Sequence, residues 1–287
     1  MQLIVLTSLA MLAFAGNSLL CRLALQHTGI DPASFSSVRL VSGAVALGLI
    51  AAWRQGSHMR PLAGHWLSAL ALFVYAEAFS FAYLSLSAGT GALLLFAAVQ
   101  ISMIGWGFYR GERLGPWQLA GLLLAVLGLI VLLLPGLAAP PLQGALLMTA
   151  SGVAWAVYSL RAKGSGDPTS TTAGNFLRAV PMALAVSAAT LGSMRWDAAG
   201  VGFGIASGAL CSGVGYAIWY AALRELKLTN AATVQLSVPV IAAFGGVLFL
   251  AESASLRLAT AAVAVLGGVA VVLLAPKPGR RPQGKIQ

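Results

Sequence analysis

The chain has 287 residues, 59% of them apolar and 8% charged, with a mean hydropathy of +0.88. An ordinary soluble domain carries roughly 25% charged residues, so 17 Lys and Arg with 7 Asp and Glu cannot clothe a water-facing surface of this length. That excludes a soluble enzyme, a disordered chain and a nucleic-acid-binding domain. It points to an all-α polytopic membrane protein.

Ten apolar segments long enough to cross a hydrocarbon core are predicted near 3–25, 32–53, 64–84, 90–109, 116–134, 142–161, 168–192, 200–222, 229–250 and 256–274. The first starts without a basic n-region and continues to Cys21, longer than a signal h-region, so it reads as a retained helix. Asp31-Pro32 and Asp167-Pro168 each read as an N-cap followed by Pro at the first helical position. Pro135 and Pro276 end the fifth and tenth spans, and the turn-rich stretch from Gly136 to Pro141 separates two halves. Cys21 and Cys211 fall in or beside apolar runs and imply neither a disulfide nor a metal.

The net charge of +10 reports topology here, not nucleic acid. Loops on the N-terminal side carry Arg54, Arg60, Arg110, Arg113, Arg161, Lys163, Arg224, Lys227, Lys277, Arg280, Arg281 and Lys285. The opposite loops carry Arg22, Arg195 and Arg257, while Arg39 and Arg178 lie inside spans. The bias places both termini in the cytoplasm of a bacterial-type inner membrane and favours an even number of spans. No loop between spans has room for a nucleotide-binding domain. Gly279 to Lys285 has P-loop spacing but lacks the Ser/Thr and has no preceding strand. Gly200, Gly204 and Gly208 recur every four residues, the pattern of close helix packing in a membrane.

The halves match at an offset of 139 to 141 residues. Ala13-Phe14-Ala15 aligns with Ala154-Trp155-Ala156, Arg39 with Arg178, and Phe81-Ala82-Tyr83-Leu84 with Tyr220-Ala221-Ala222-Leu223. Gly111-Glu112 aligns with Ala251-Glu252, Leu127-Gly128 with Gly267-Gly268, and Leu132-Leu133 with Leu273-Leu274. Matches in one order at one offset are a repeat. Residues 1–139 and 140–287 are thus expected to form two five-helix units. Five is odd, so the second unit enters the membrane inverted, the architecture of secondary transporters with a substrate site where the repeats meet. A duplication without transport, as in some channels, has the same signature.

The aromatic-Ala motif in spans one and six, the Arg in spans two and seven, and Gly-Glu or Ala-Glu before a Gly-rich span resemble the EamA-type repeat of the drug/metabolite transporter superfamily. The resemblance covers nearly the whole chain. It implies ten helices in two inverted repeats and export of small metabolites, amino acids among them. Phe73-Val74-Tyr75-Ala76-Glu77 is similar to the YddG-like aromatic amino-acid exporters. The family often has Pro midway along the fourth span of each half. Pro239 fits, whereas the first half has Val99-Gln100.

Glu77 is the one acid well inside a span, and a buried carboxylate marks a functional site by default. It suits proton coupling or a cation partner; a hydrogen bond to a neighbouring helix or a pair with Arg39 is the structural alternative. Glu112 and Glu252 occupy equivalent span ends and read as helix-end or inter-repeat hydrogen bonders. Arg39 and Arg178 can snorkel, pair with carbonyls, or line a substrate path and meet a carboxylate. Tyr75, Phe79 and Tyr83 recur every four residues in span three, and Tyr216, Trp219 and Tyr220 form a stripe in span eight. Phe14 with Asn17, and Trp155 with Tyr158, repeat at i, i+3. Tyr83 and Tyr220, near span ends, also fit an interface belt. Aromatic walls with few polar groups suit an amphipathic small molecule, and aromatic faces attract ammonium. Asn17, Gln100 and Gln235 are the candidate hydrogen-bonding groups.

His27, His58 and His65 lie in loops or at a span start, with no metal-ligand spacing and no Cys–His pair, so catalysis finds no support and no cofactor is implied. The expected function is export of small amphipathic metabolites, aromatic or apolar amino acids foremost, by alternating access around an aromatic-lined cavity. The expected partners are that substrate, the bilayer and a coupling proton. A broad exporter of drugs or cationic compounds is the alternative within the class. A passive channel or a non-transporting membrane interaction protein is the alternative outside it.

Overall fold

The computed structural model describes residues 2–55, 63–111, 114–134, 139–162, 167–226, 234–253 and 255–275. They form α1 (Gln2–His27), α2 (Pro32–Gln55), α3 (Trp66–Ala82), α4 (Ala88–Tyr109) and α5 (Pro116–Leu133). The second half supplies α6 (Leu142–Ala162), α7 (Pro168–Ala189), α8 (Ala198–Leu223), α9 (Ser237–Leu250) and α10 (Leu256–Leu274). There is no strand among the described residues. Six of these helices are long and apolar enough to cross a membrane, and α3 and α9 are shorter apolar helices. Glu112, the basic tail after Ala275 and the residues from 229 that were expected to begin the ninth span lie outside the described residues or at their edge.

The expected caps set several helix starts. The Asp167 carboxylate accepts from the Thr169 N–H at 3.1 Å at the head of α7, with Pro168 in its first turn. The Asp31 carboxylate accepts from the Ser34 N–H at 3.0 Å at the head of α2. Asp197 does the same for α8 through the Gly200 N–H at 2.9 Å. Each cap satisfies an amide that the first helical turn leaves without a partner.

The packing pattern repeats when the first five helices are exchanged with the last five. α2 packs on α7, α4 on α9 and α5 on α10, while α3 packs on α6 as α8 packs on α1. The described helices thus form two five-helix halves whose main contacts are with each other. Among the six long apolar helices α4 is the most enclosed and α5 and α10 the least. The α5–α10 pair thus stands at the margin. It closes through small residues: a Cβ on Gly121 would strike the Gly268 carbonyl, and one on Gly268 the Gly121 carbonyl.

Candidate substrate site at the repeat interface

A run of aromatic rings threads the interface between the halves. Trp219 and Tyr216 of α8 each meet Phe14 of α1 with ring centroids 5.8 Å apart. Tyr216 then meets Trp155 of α6 at 5.4 Å, and Trp155 meets Tyr75 of α3 at 4.8 Å. Tyr75 continues to Phe79 at 5.6 Å and Phe79 to Tyr83 at 4.8 Å. Edge-on and tilted pairs of this kind add to area burial.

Within this run lies a small cavity lined by Phe14, Asn17, Ser18, Tyr75, Phe79, Leu95, Phe96, Trp155, Tyr216 and Gln235. Its free volume is ≈ 20 Å³, space for about one water. Seven of the residues singled out from sequence line it: Phe14, Asn17, Tyr75, Phe79, Trp155, Tyr216 and Gln235. Ser18, Leu95 and Phe96 were not foreseen. Ser18 follows Asn17 directly, which is a usable signal, whereas Leu95 and Phe96 sit in an apolar run that marks none of its members.

The other expected residues stand outside the lining. Trp219 packs behind Phe14, and Gln100 is buried along α4. Tyr83 is fully buried, its hydroxyl donating to the Ala88 carbonyl at 3.3 Å, so it is no interface-belt residue. Tyr158 lies behind Trp155 at 5.5 Å. Its hydroxyl donates to Thr172 Oγ1 at 3.3 Å, and Thr172 donates to the Tyr220 hydroxyl at 3.1 Å. Tyr220 in turn borders a second, larger space of ≈ 380 Å³ beside Arg54 and Arg224. The Tyr158–Thr172–Tyr220 bridge therefore stands between the two spaces.

The polar floor of the small cavity is built by an irregular helix. Residues Ala206–Val214 of α8 form a π-helical stretch. Its wider turn puts Ser207 and Ser212, five apart, on one face, where both reach Asn17 of α1. The Asn17 amide satisfies every neighbour when it donates to Ser207 Oγ at 2.6 Å and accepts from Ser212 Oγ at 3.3 Å and Arg39 Nη2 at 3.2 Å. α2 comes within backbone contact here: a Cβ on Gly208 would strike the Arg39 carbonyl and Ser42 Oγ.

Arg39 does not snorkel. It is 1% exposed, and Nη2 donates to the Tyr75 hydroxyl at 2.8 Å. Its guanidinium lies 4.8 Å from the Phe79 ring centroid and 5.2 Å from that of Tyr75. Arg178, its repeat equivalent, instead donates to the Gly174 carbonyl at 2.8 Å and the Ala63 carbonyl at 3.4 Å and does not line the cavity. Glu77 is buried with Ser36 of α2 as its nearest hydroxyl, and among the described residues neither carboxylate oxygen has a hydrogen-bond partner within 3.5 Å. No ion pair within 4.0 Å joins Glu77 to Arg39 there; the described pairs are Arg22–Glu252 and Arg54–Asp167. Among the described residues no cluster could hold a metal ion.

One end of the bundle is closed by a charged cluster. The Glu252 carboxylate, just past α9, accepts from the Ala88 N–H at the start of α4 at 2.9 Å and from Arg22 Nε at 3.2 Å. Arg22 Nη1 also donates to the Tyr83 carbonyl at 2.7 Å. The carboxylate thus serves a helix N-terminus and crosses between the repeats.

The EamA-like transporter family model matches the chain twice, over residues 1–134 and 142–274. The chain belongs to the EamA-like transporter family. It is a transporter by family and not an enzyme. This EamA-like chain is 55% identical over 277 residues to an uncharacterized protein of Pseudomonas aeruginosa, covering 96% of each. It is 26% identical over 279 residues to an uncharacterized transporter of Archaeoglobus fulgidus, covering 92% of this chain and 94% of that one. A threonine/homoserine exporter, RhtA, of Salmonella typhimurium is 29% identical over 143 residues, 48% of each chain. A crystal structure that is 20% identical superposes with a TM-score of 0.68 over 94% of this chain and 96% of that one, which shows the shared fold.

Proposed function

We propose that this EamA-like transporter is a secondary exporter of small amphipathic metabolites, amino acids with aromatic or apolar side chains foremost. The observation that carries this reading is the cavity between the repeats. Phe14, Trp155 and Tyr216 offer apolar faces, and Asn17 and Gln235 offer polar contacts at the same place. Residues 1–139 and 140–287 act as the two moving units, in a bacterial-type inner membrane with both termini cytoplasmic, as the Lys and Arg bias favours. The Arg22–Glu252 end is then external, and the Tyr158–Thr172–Tyr220 bridge faces the cytoplasm. Alternating access consists in releasing one closure while the other holds. The partial likeness to a threonine/homoserine exporter favours amino acids over other metabolites.

Glu77 is the candidate proton carrier, because its carboxylate is enclosed in the bundle without a hydrogen bond. The experiment is uptake of labelled phenylalanine into proteoliposomes, with and without a pH gradient. Saturable uptake supports the carrier reading. Non-saturating flux would indicate a channel. Uptake that needs the gradient in the wild type and loses that need in Glu77→Gln supports coupling through this acid; an unchanged response in the variant removes Glu77 from coupling.

A further inference from the structure

A guanidinium enclosed in an apolar bundle is costly unless an anion or a full set of acceptors meets it. Arg39 has neither among the described residues. Nη2 is occupied by the Tyr75 hydroxyl and the Asn17 oxygen, but Nη1 is buried with no hydrogen-bond partner. Among the described residues no carboxylate lies within 4.0 Å of the guanidinium, and the buried acid Glu77 interacts with it only at longer range. The rings of Tyr75 and Phe79 cradle the group without neutralising it. Those two rings and Asn17 are themselves walls of the small cavity, so the guanidinium sits one side chain behind the lumen.

We propose that Arg39 is the receptor for a carboxylate carried by the transported substrate. The inference rests on the transporter reading above and narrows its substrate class. Tyr75 accepts from Arg39, which leaves its own O–H able to donate towards the cavity. An entering carboxylate would therefore meet two donors, Arg39 Nη1 and the Tyr75 hydroxyl, one of them charged. The aromatic faces of Trp155 and Tyr216 remain for the rest of the molecule. A cation without a carboxylate would enter beside a guanidinium with no ion-pair partner within 4.0 Å among the described residues, so decarboxylated amines and cationic drugs are disfavoured.

The test is a thermal-shift panel on the purified full chain: the standard amino acids, their amides and their decarboxylated amines. Wild type is compared with Arg39→Gln, Arg39→Lys and Tyr75→Phe. The expected stabilising ligands all bear a free carboxylate, and the matched amide and amine bind roughly a hundredfold more weakly. Arg39→Gln abolishes the preference, Arg39→Lys keeps part of it, and Tyr75→Phe, which preserves the guanidinium should Arg39→Gln fail to fold, weakens the acid but not the amine. An amine or amide that binds as well as its acid overturns the assignment, as does a panel in which no carboxylate stabilises. Uptake of the same compounds in proteoliposomes reads transport separately. Transported amines would refute the Arg39 assignment while leaving the transporter reading intact.

Discussion

Arg22 and Glu252, 230 residues apart in the chain, meet at 3.2 Å across the seam between the repeats. Both side chains are nearly enclosed, 11% and 13% exposed. Ala251, with φ of 51°, makes the left-handed turn that delivers Glu252 to the head of α4. Gly111, its repeat equivalent, also has a positive φ, 87°. Arg161, in the last turn of α6, donates to Ser68 Oγ at 3.2 Å. The two ends of the fold are thus held by different bonds, the two closures that the proposed alternating access would release in turn.

Glu252→Gln should loosen the Arg22 end. Breaking a largely buried pair by neutralising one partner costs ~3 kcal/mol, which raises the open population roughly a hundredfold. The reporter is a single cysteine at Ser18, a cavity position, in a chain with Cys21 and Cys211 replaced by alanine. Impermeant maleimide should label it faster from the Arg22 side in the variant. Equal labelling rates would show that this pair does not hold the closure.

Thr172→Val should act at the other end. The hydroxyl bridges Tyr158 and Tyr220, and its removal leaves the buried Tyr158 and the half-buried Tyr220 without that partner. Losing hydrogen bonds of this kind costs about 1–3 kcal/mol in the closed form. The same Ser18→Cys reporter should then label faster from the Arg54 side and no faster from the Arg22 side. Faster labelling from both sides would mean general loosening instead of a gate.

Trp155→Ala should reduce transport more than Trp219→Ala. Trp155 lines the cavity and touches Tyr75, Tyr216 and Tyr158, whereas Trp219 packs behind Phe14. Trp219→Ala should instead act on stability, since removing a buried large aromatic costs roughly 3–5 kcal/mol. Uptake rates and melting temperatures measured together separate the two effects. A larger transport loss in Trp219→Ala at unchanged stability would move the site towards α8.

Most of the fold was legible because its signals are local. Asp-Pro caps, apolar runs of spanning length and a constant repeat offset each act within one segment or by simple comparison. The cavity was legible where aromatics recur at helical spacing, as with Tyr75 and Phe79. Three features were not. No residue pattern in 206–214 demands the π-helical stretch. The depth of Arg39 in sequence allowed it to reach an interface; only its neighbours Tyr75, Phe79 and Asn17 show that it turns inward. Trp219 and Tyr158 share the cavity's composition and spacing yet lie one layer behind it, a distinction set by helix rotation.

Gly208→Ala should be severe and Gly202→Ala harmless. A Cβ at Gly208 meets the Arg39 carbonyl, which cannot swing aside as a side chain can, and it would displace the strut behind the cavity. A Cβ at Gly202 meets nothing within 4 Å. Overpacking costs roughly 1–3 kcal/mol or more, while an unhindered Gly→Ala change stabilises by about 0.4–1 kcal/mol. Melting temperatures in detergent should therefore move in opposite directions. A fall in both would show that α8 tolerates no added methyl at all, and that the close approach to α2 is not the cause.

Asp31 should make stability depend on pH in the acid range. Partial burial works against its charge, but the N–H groups of Arg195, Ser34 and Ala33 outweigh that and hold its pKa below the ordinary 3.8. The Arg195 N–H, at 2.9 Å, ties the head of α2 to the segment before α8. A lowered native pKa means stability that is complete above the ordinary value and lost as pH falls through the native one. Asp31→Asn should therefore melt below wild type at neutral pH, by about 1 kcal/mol once solvent screening is allowed for. The gap should close as the pH is lowered past the native pKa, because the wild-type carboxyl then becomes neutral too. A gap that persists into strong acid would assign the effect to the shape of the cap and not to its charge.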